Sequence, residues 1–150
     1  MRKIFILLIG CTLLLSCSKD EKTQEEKERD IFNILIGKWQ FSRVAKDAEF
    51  KEIIEIEMED CDKYNYVEFS LDSCCISRFG CDRKDMSGKF EITFYNEEAL
   101  LCLSEGAGIA LAASQIAYGG YLPLLSINKN TFILAINYYT MNYIEFKRID

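Results

Sequence analysis

Sulfur and carboxylate are the reactive groups this sequence offers. Cysteines stand at Cys11, Cys17, Cys61, Cys74, Cys75, Cys81 and Cys102. A thiolate is a nucleophile, a metal ligand or half of a disulfide, and spacing decides which. No Cys-x-x-Cys pair occurs, which argues against a zinc site. Glu55, Glu57, Glu59, Asp60 and Asp62 crowd carboxylates into one stretch that would attract Ca²⁺, but the EF-hand spacing is absent. Their alternation fits the solvated face of a strand better. Nothing singles out a carboxylate pair for glycoside hydrolysis. The chain contains no histidine, which removes Ser-His-Asp and Cys-His catalysis, most transition-metal sites and the usual pH switch. The expectation is a non-enzymatic protein with no catalytic residues, no metal and no cofactor.

The first cysteines belong to a different chemistry. Arg2 and Lys3 precede an apolar run over residues 4–15, about as long as a signal-peptide core and too short to span a bilayer, which takes roughly 20 residues. The run ends in Leu14-Leu15-Ser16-Cys17, which resembles the bacterial lipobox. The resemblance implies a signal peptide over 1–16, cleavage before Cys17 and a lipid on the Cys17 thiol. Ser18-Lys19-Asp20-Glu21 resembles the export signal that sends lipoproteins of one group of Gram-negative bacteria to the cell surface. The expected location is therefore the outer membrane, lipid-anchored and exposed. Residues 17–30 are almost all charged or polar and should form a flexible tether.

What remains suffices for one domain, 31–150, and not for two. Loss of the two positive charges Arg2 and Lys3 takes the formal net charge from −6 to −8, so a phosphate backbone would be repelled and nucleic acid is an improbable partner. The body reads as all-β. Val67, Phe69 and Leu71 alternate with Tyr66, Glu68 and Ser70. Phe90, Ile92 and Phe94 alternate with Lys89, Glu91 and Thr93. Ile144, Phe146 and Arg148 alternate with Tyr143, Glu145 and Lys147. Such period-two runs mark strands with one buried face. Breaks at Asp72-Ser73, Asn96-Glu97-Glu98 and Asn128-Lys129-Asn130 are hairpin-sized. Residues 53–60 also alternate and are predicted as a strand. One stretch departs: 106–120 is rich in Ala, Gly and Ile, and 107–118 reads as a short apolar helix or loop that packs on or plugs the barrel end, forms a lid over a ligand cavity, or presents a partner-binding surface.

The fold becomes specific at Gly37-Lys38-Trp39. With Ile31-Phe32-Asn33-Ile34-Leu35-Ile36 before it, this resembles the start of lipocalin-like domains, where a short helical turn leads into Gly-x-Trp on the first strand. Cys61-Asp62-Lys63-Tyr64 before Tyr66-Val67-Glu68-Phe69, Cys81-Asp82 before Gly88-Lys89-Phe90, and the closing Phe146-Lys147-Arg148-Ile149 resemble small lipoproteins of that type. The doubled Cys74-Cys75, Phe90 in place of Trp, and the long Ala/Gly segment depart from the pattern. The resemblance implies a small antiparallel up-and-down β-barrel of about eight strands. It also implies a Cys61–Cys81 disulfide, fitting an oxidising compartment. In such a barrel the first and last strands pair antiparallel, so Arg148 should pack its guanidinium on Trp39 at the closed end.

Five cysteines follow Cys17, an odd number. Cys102 is expected to find Cys74 or Cys75, since the strands should run close together. Two functions fit. A lipocalin-like interior implies a small apolar ligand, its contacts unspecified by the sequence. The abundant large inward residues instead suit a filled barrel that acts as a protein-interaction module, such as an inhibitor, immunity factor or accessory subunit.

Overall fold

Helix formation begins earlier than the hydrophobic pattern suggests. The computed structural model describes residues 22–80, 84–110, 116–137 and 141–150, and in it helix α1 runs Gln24–Leu35. Thr23 Oγ1 accepts from the Glu26 N–H at 3.3 Å, and the Glu26 carboxylate accepts from the Thr23 N–H at 3.0 Å. This capping box satisfies two donors that a helix start otherwise leaves orphaned. The stretch predicted to be a flexible tether as far as Asp30 is therefore helical from Gln24. The short turn expected over 31–36 is the end of a longer helix. Leu35 is buried, and Ile31, Phe32 and Ile36 pack against the core. Burial of this end holds a helix whose charged first turns would not persist alone.

The chain then runs through β1 (Gly37–Ala45), β2 (Ile53–Ile54), β3 (Tyr66–Phe69), β4 (Cys74–Arg78), β5 (Met86–Tyr95), β6 (Glu98–Ala110), β7 (Ile116–Ile127), β8 (Thr131–Asn137) and β9 (Met141–Arg148). Apart from β2, each strand pairs antiparallel with the next, and β9 returns to β1. Eight strands thus form a closed ring, while β2 adds only Val44–Ile54 and Ala45–Ile53 beside the end of β1. The antiparallel all-β architecture read from the period-two runs holds, as do the hairpin breaks. Val67, Phe69, Phe90, Ile92, Ile144 and Phe146 all point inward and are buried. Leu71 does not join them: β3 stops at Phe69, and Leu71 is 77% exposed in the turn to β4. The strand expected over 53–60 shrinks to Ile53–Ile54, paired with Ala45 and Val44 of β1.

Where it is described, the Ala/Gly segment is strand and not helix. Its described parts are the adjoining ends of β6 and β7, paired Gly108–Tyr118, Ile109–Ala117 and Ala110–Ile116. Glycines at positions 106, 108, 119 and 120 weaken a helix, and each strand offers the other its hydrogen-bonding edge. The register slips between Leu103 and Gly108, and the slack of β6 folds onto β5 at Gly88. A Cβ at Gly88 would run into Ala107 and Ser104. Beyond the slip, Ala107 and Ile109 are buried, and the fully buried Ser77 hydroxyl of β4 donates to the Gly108 carbonyl. Among the described residues no helix is long and apolar enough to cross a membrane.

Candidate functional site

The chain ends meet in a latch. Trp39 of β1 stands opposite Arg148 of β9, and the Arg148 guanidinium carbon lies 4.2 Å from the indole centroid. The Trp39 ring is fully buried, and its Nε1–H donates to the Leu35 carbonyl at 2.7 Å. Arg148 Nη1 donates to the Ile36 carbonyl at 2.8 Å, Nη2 to the Ile34 carbonyl, and Nε to the Lys129 carbonyl at 2.7 Å. One side chain therefore covers the indole, the carbonyls at the end of α1 and the β7–β8 turn. Arginine suits this place, because its fork of donors meets several acceptors at once. Gly37, at φ +132°, leaves the necessary room: a Cβ there would collide with Arg148 Nη1 and the Asp150 carboxylate. Asp150 accepts from the Lys38 N–H at 3.0 Å.

Inside the ring, aromatic rings occupy the space. Phe132 packs edge-on to Trp39 at 4.9 Å and stacks on Phe146 at 4.6 Å. Phe69 contacts Phe132 at 6.3 Å and Phe90 at 4.9 Å, and Phe90 stacks on Phe32 of α1 at 5.2 Å. Trp39, Phe69, Phe132 and Phe146 are each at most 1% exposed. Edge-to-face and offset-stacked pairs at such distances add to the burial of their area. The spaces beside this core open to solvent. One groove of about 330 Å³ lies outside β5–β7 between Lys89, Glu91, Cys102, Ser104 and Tyr121. Another, of about 370 Å³, opens beside α1 between Ile31, Phe94, Ala99, Pro123, Leu125 and Ile127.

Cys17 and Cys81 lie outside the described residues, and so does the Cys61–Cys81 pairing. The turn that carries Cys61 is nevertheless fastened to the neighbour of Cys81. Asn65 accepts from the Gly80 N–H at 2.7 Å and donates to Asp62 at 3.0 Å, and a Cβ at Gly80 would strike the Cys61 carbonyl. Asp62, one member of the acidic cluster, is buried and accepts from the Glu59 N–H at 2.9 Å. It organises its own turn. Among the described residues no group of three acidic or sulfur side chains is placed to hold a metal.

The pairing expected between Cys102 and Cys74 or Cys75 is not made: all three are free thiols. Register explains it. Cys74 stands opposite Lys89 and Cys102 opposite Glu91, on the two sides of β5. Two strand spacings, roughly 9.5 Å, exceed the reach of a disulfide. Cys75 points inward and is fully buried. Burial, and secondarily the adjacent Cys74, pushes its thiol up to about 12, and burial also raises Cys102. Cys74 is half-buried, donates to Asp72 Oδ2 at 3.2 Å and lies 3.1 Å from Lys89 Nζ. Asp72 is held at about 2 by hydrogen bonds from Ser70 and Cys74. In native protein near pH 8, maleimide should therefore modify Cys74 at least tenfold faster than Cys75. Peptide mapping of a time course checks this, and equal rates would contradict the burial of Cys75.

Sequence patterns missed a second fastening of the β1–β9 seam. Glu145 is 7% exposed and accepts from Arg43 at 2.9 and 3.1 Å and from Ser42 Oγ at 3.0 Å. The bulge between Phe41 and Arg43 brings both donors to one carboxylate; a bulge leaves little trace in a hydrophobic pattern. Burial alone would raise the Glu145 carboxyl, but the hydrogen bonds from Arg43 and Ser42 outweigh it and lower the value. A depressed folded-state value adds stability above the unfolded carboxylate range, and that stability is lost as pH falls through the folded value. With Arg43 about half exposed, solvent screening limits the pair to about 1 kcal/mol. Glu145→Gln should lose that amount at pH 7 and none below the folded carboxyl value. Urea titrations across pH would show the two curves converging in acid. No protein-family model matches the chain, and a search of curated proteins finds none that matches it. The chemistry of the site therefore carries the functional reading.

Proposed function

We propose that this chain is a lipid-anchored lipoprotein of the bacterial outer membrane, held at the cell surface through Cys17, and that its lipocalin-like barrel is a non-enzymatic protein-interaction module. The occupied interior carries this reading: Trp39, Phe69, Phe132 and Phe146 interlock where a small apolar ligand would sit. A sequential ring of antiparallel strands, with a helix before Gly37 and Arg148 on Trp39, supports the lipocalin-like assignment. Binding then falls to the outside. On β5 and β7, Tyr95 and Tyr121 are 68% and 73% exposed, beside the acidic Glu91 and Glu98. Exposed aromatic side chains with a charged rim are the makings of a protein interface.

Native mass spectrometry of the full chain purified from its own membranes tests this. The expected result is a complex with a second protein that dissociates in a Tyr95→Glu, Tyr121→Glu variant of unchanged melting temperature. A stoichiometric small apolar molecule, retained without any protein partner, would restore the ligand-binding alternative. The oxidising compartment also favours a Cys61–Cys81 bridge. Tryptic mapping without reduction should recover the two cysteine peptides joined, and two free-thiol peptides would refute the bridge.

A further inference from the structure

The start of α1 lies against the β5–β6 turn. Lys22, Gln24 and Lys27 face Phe94, Asn96 and Glu97 across a polar trough of about 630 Å³. Phe94 and Glu97 also line the 370 Å³ groove beside α1, so trough and groove adjoin at these two residues. Past Phe94 the walls are mainly apolar, formed by Ile31, Ala99, Pro123, Leu125 and Ile127, with Glu98 and Ser126 among them. The register slip in β7 between Leu124 and Ser126 brings the buried Leu124 and the 48% exposed Leu125 to the same groove. Leu125 is left about half exposed to water, which the hydrophobic effect disfavours. A groove of this volume stands at the small end of ligand sites and is open along one side, as a chain-like occupant requires.

We infer that this groove seats an acyl chain of the lipid on Cys17 of the same molecule. This rests on the proposed lipidation and adds where the chain goes when no bilayer holds it. Reach selects the occupant. From Cys17 to Lys22 the backbone makes five residue steps, at most about 18 Å when fully extended. The anchored cysteine therefore cannot stray far from the polar trough that begins at Lys22. Polar walls at the trough suit the backbone and the ester-bearing part of the lipid, and apolar walls beyond suit the hydrocarbon. A single acyl chain binds a bilayer only marginally and reversibly, so one chain can exchange between groove and membrane. The groove would shield it from water on the way to the outer membrane.

The test uses cells fed a palmitate that carries a photoreactive diazirine. The full chain is purified, removed from detergent and illuminated. Adducts are expected within the molecule, on the tryptic peptides 30–38 and 90–129, at residues of the groove. Ala99→Trp, which fills the groove, and Leu125→Lys, which charges its rim, should each reduce them at least fivefold. Incorporated label with adducts scattered over the surface, or insensitive to both variants, would overturn the inference alone. A second arm offers the same palmitate, free in solution, to a Cys17→Ala chain. Groove adducts there, with no metabolic label on the unmodified chain, would overturn the anchor and with it the intramolecular occupant. Groove adducts in both arms support the inference.

Discussion

Arg148→Ala is expected to lower the unfolding free energy by about 3 kcal/mol. The substitution removes a guanidinium packed 4.2 Å from an indole, a contact worth roughly 0.5–2 kcal/mol depending on burial. It also strips charged donors from the carbonyls of Ile34 and Ile36 at the end of α1. Hydrogen bonds from charged groups contribute about 1.5–3 kcal/mol each, though not additively. Against a typical stability of about 5–15 kcal/mol, the loss should be plain in a urea titration as a lower midpoint at constant slope. Arg148→Lys keeps the charge but not the fork, and should recover less than half of it. A loss below about 1 kcal/mol for Arg148→Ala would mean the latch is ornamental.

Phe132→Ala should cost more, about 3–5 kcal/mol, the range for emptying a buried aromatic site. Phe132 is fully buried and touches the rings of Trp39, Phe146 and Phe69. Its removal orphans three partners at once, and none can close the gap without leaving its own contacts. The resulting void is apolar, and dry apolar voids of ring size take up benzene-like molecules. Benzene should therefore raise the melting temperature of Phe132→Ala and leave that of the unsubstituted protein unchanged. An equal rise in both would show that the native interior already has room, contrary to the packed aromatic interior of the ring.

The parts of the fold that sequence made legible are those where one face of a strand decides everything. Val67 with Phe69, Phe90 with Ile92, and Ile144 with Phe146 each announce a buried side through alternation alone. Arg148 was legible for the same reason, since its parity on the last strand aims it at the first. Helix α1 was obscured because its apolar residues begin at Ile31, well after its first turns. The Thr23-x-x-Glu26 box was the one available signal, and it sits within a run of charges. The β6–β7 ends were misread because alanine favours helix only when no partner strand competes. Here the partner is the next strand of the same chain. The expected pairing of Cys102 with Cys74 or Cys75 failed because it depends on which side of β5 each one occupies, a property of register and not of spacing. Glu145 was hidden by the bulge that gathers its donors.

The early start of α1 has a mechanical consequence. If Cys17 carries the proposed lipid, a pull on it enters the domain at Lys22 and Thr23, and the helix lies in series between the membrane and the ring. Its N-terminal turns are exposed and held by the capping box, whereas its far end is clasped by Arg148 and buried at Leu35. Tension therefore peels α1 from its loose end, a few bonds at a time. The β1–β9 seam instead shares load across a ladder of paired residues. Each residue drawn from helix to extended chain lengthens the leash by roughly 2 Å. Over the 12 residues of α1 this gives on the order of 24 Å of extension before the ring must deform. Under the proposed anchoring, the helix would thus act as a shock absorber that yields before the ring does.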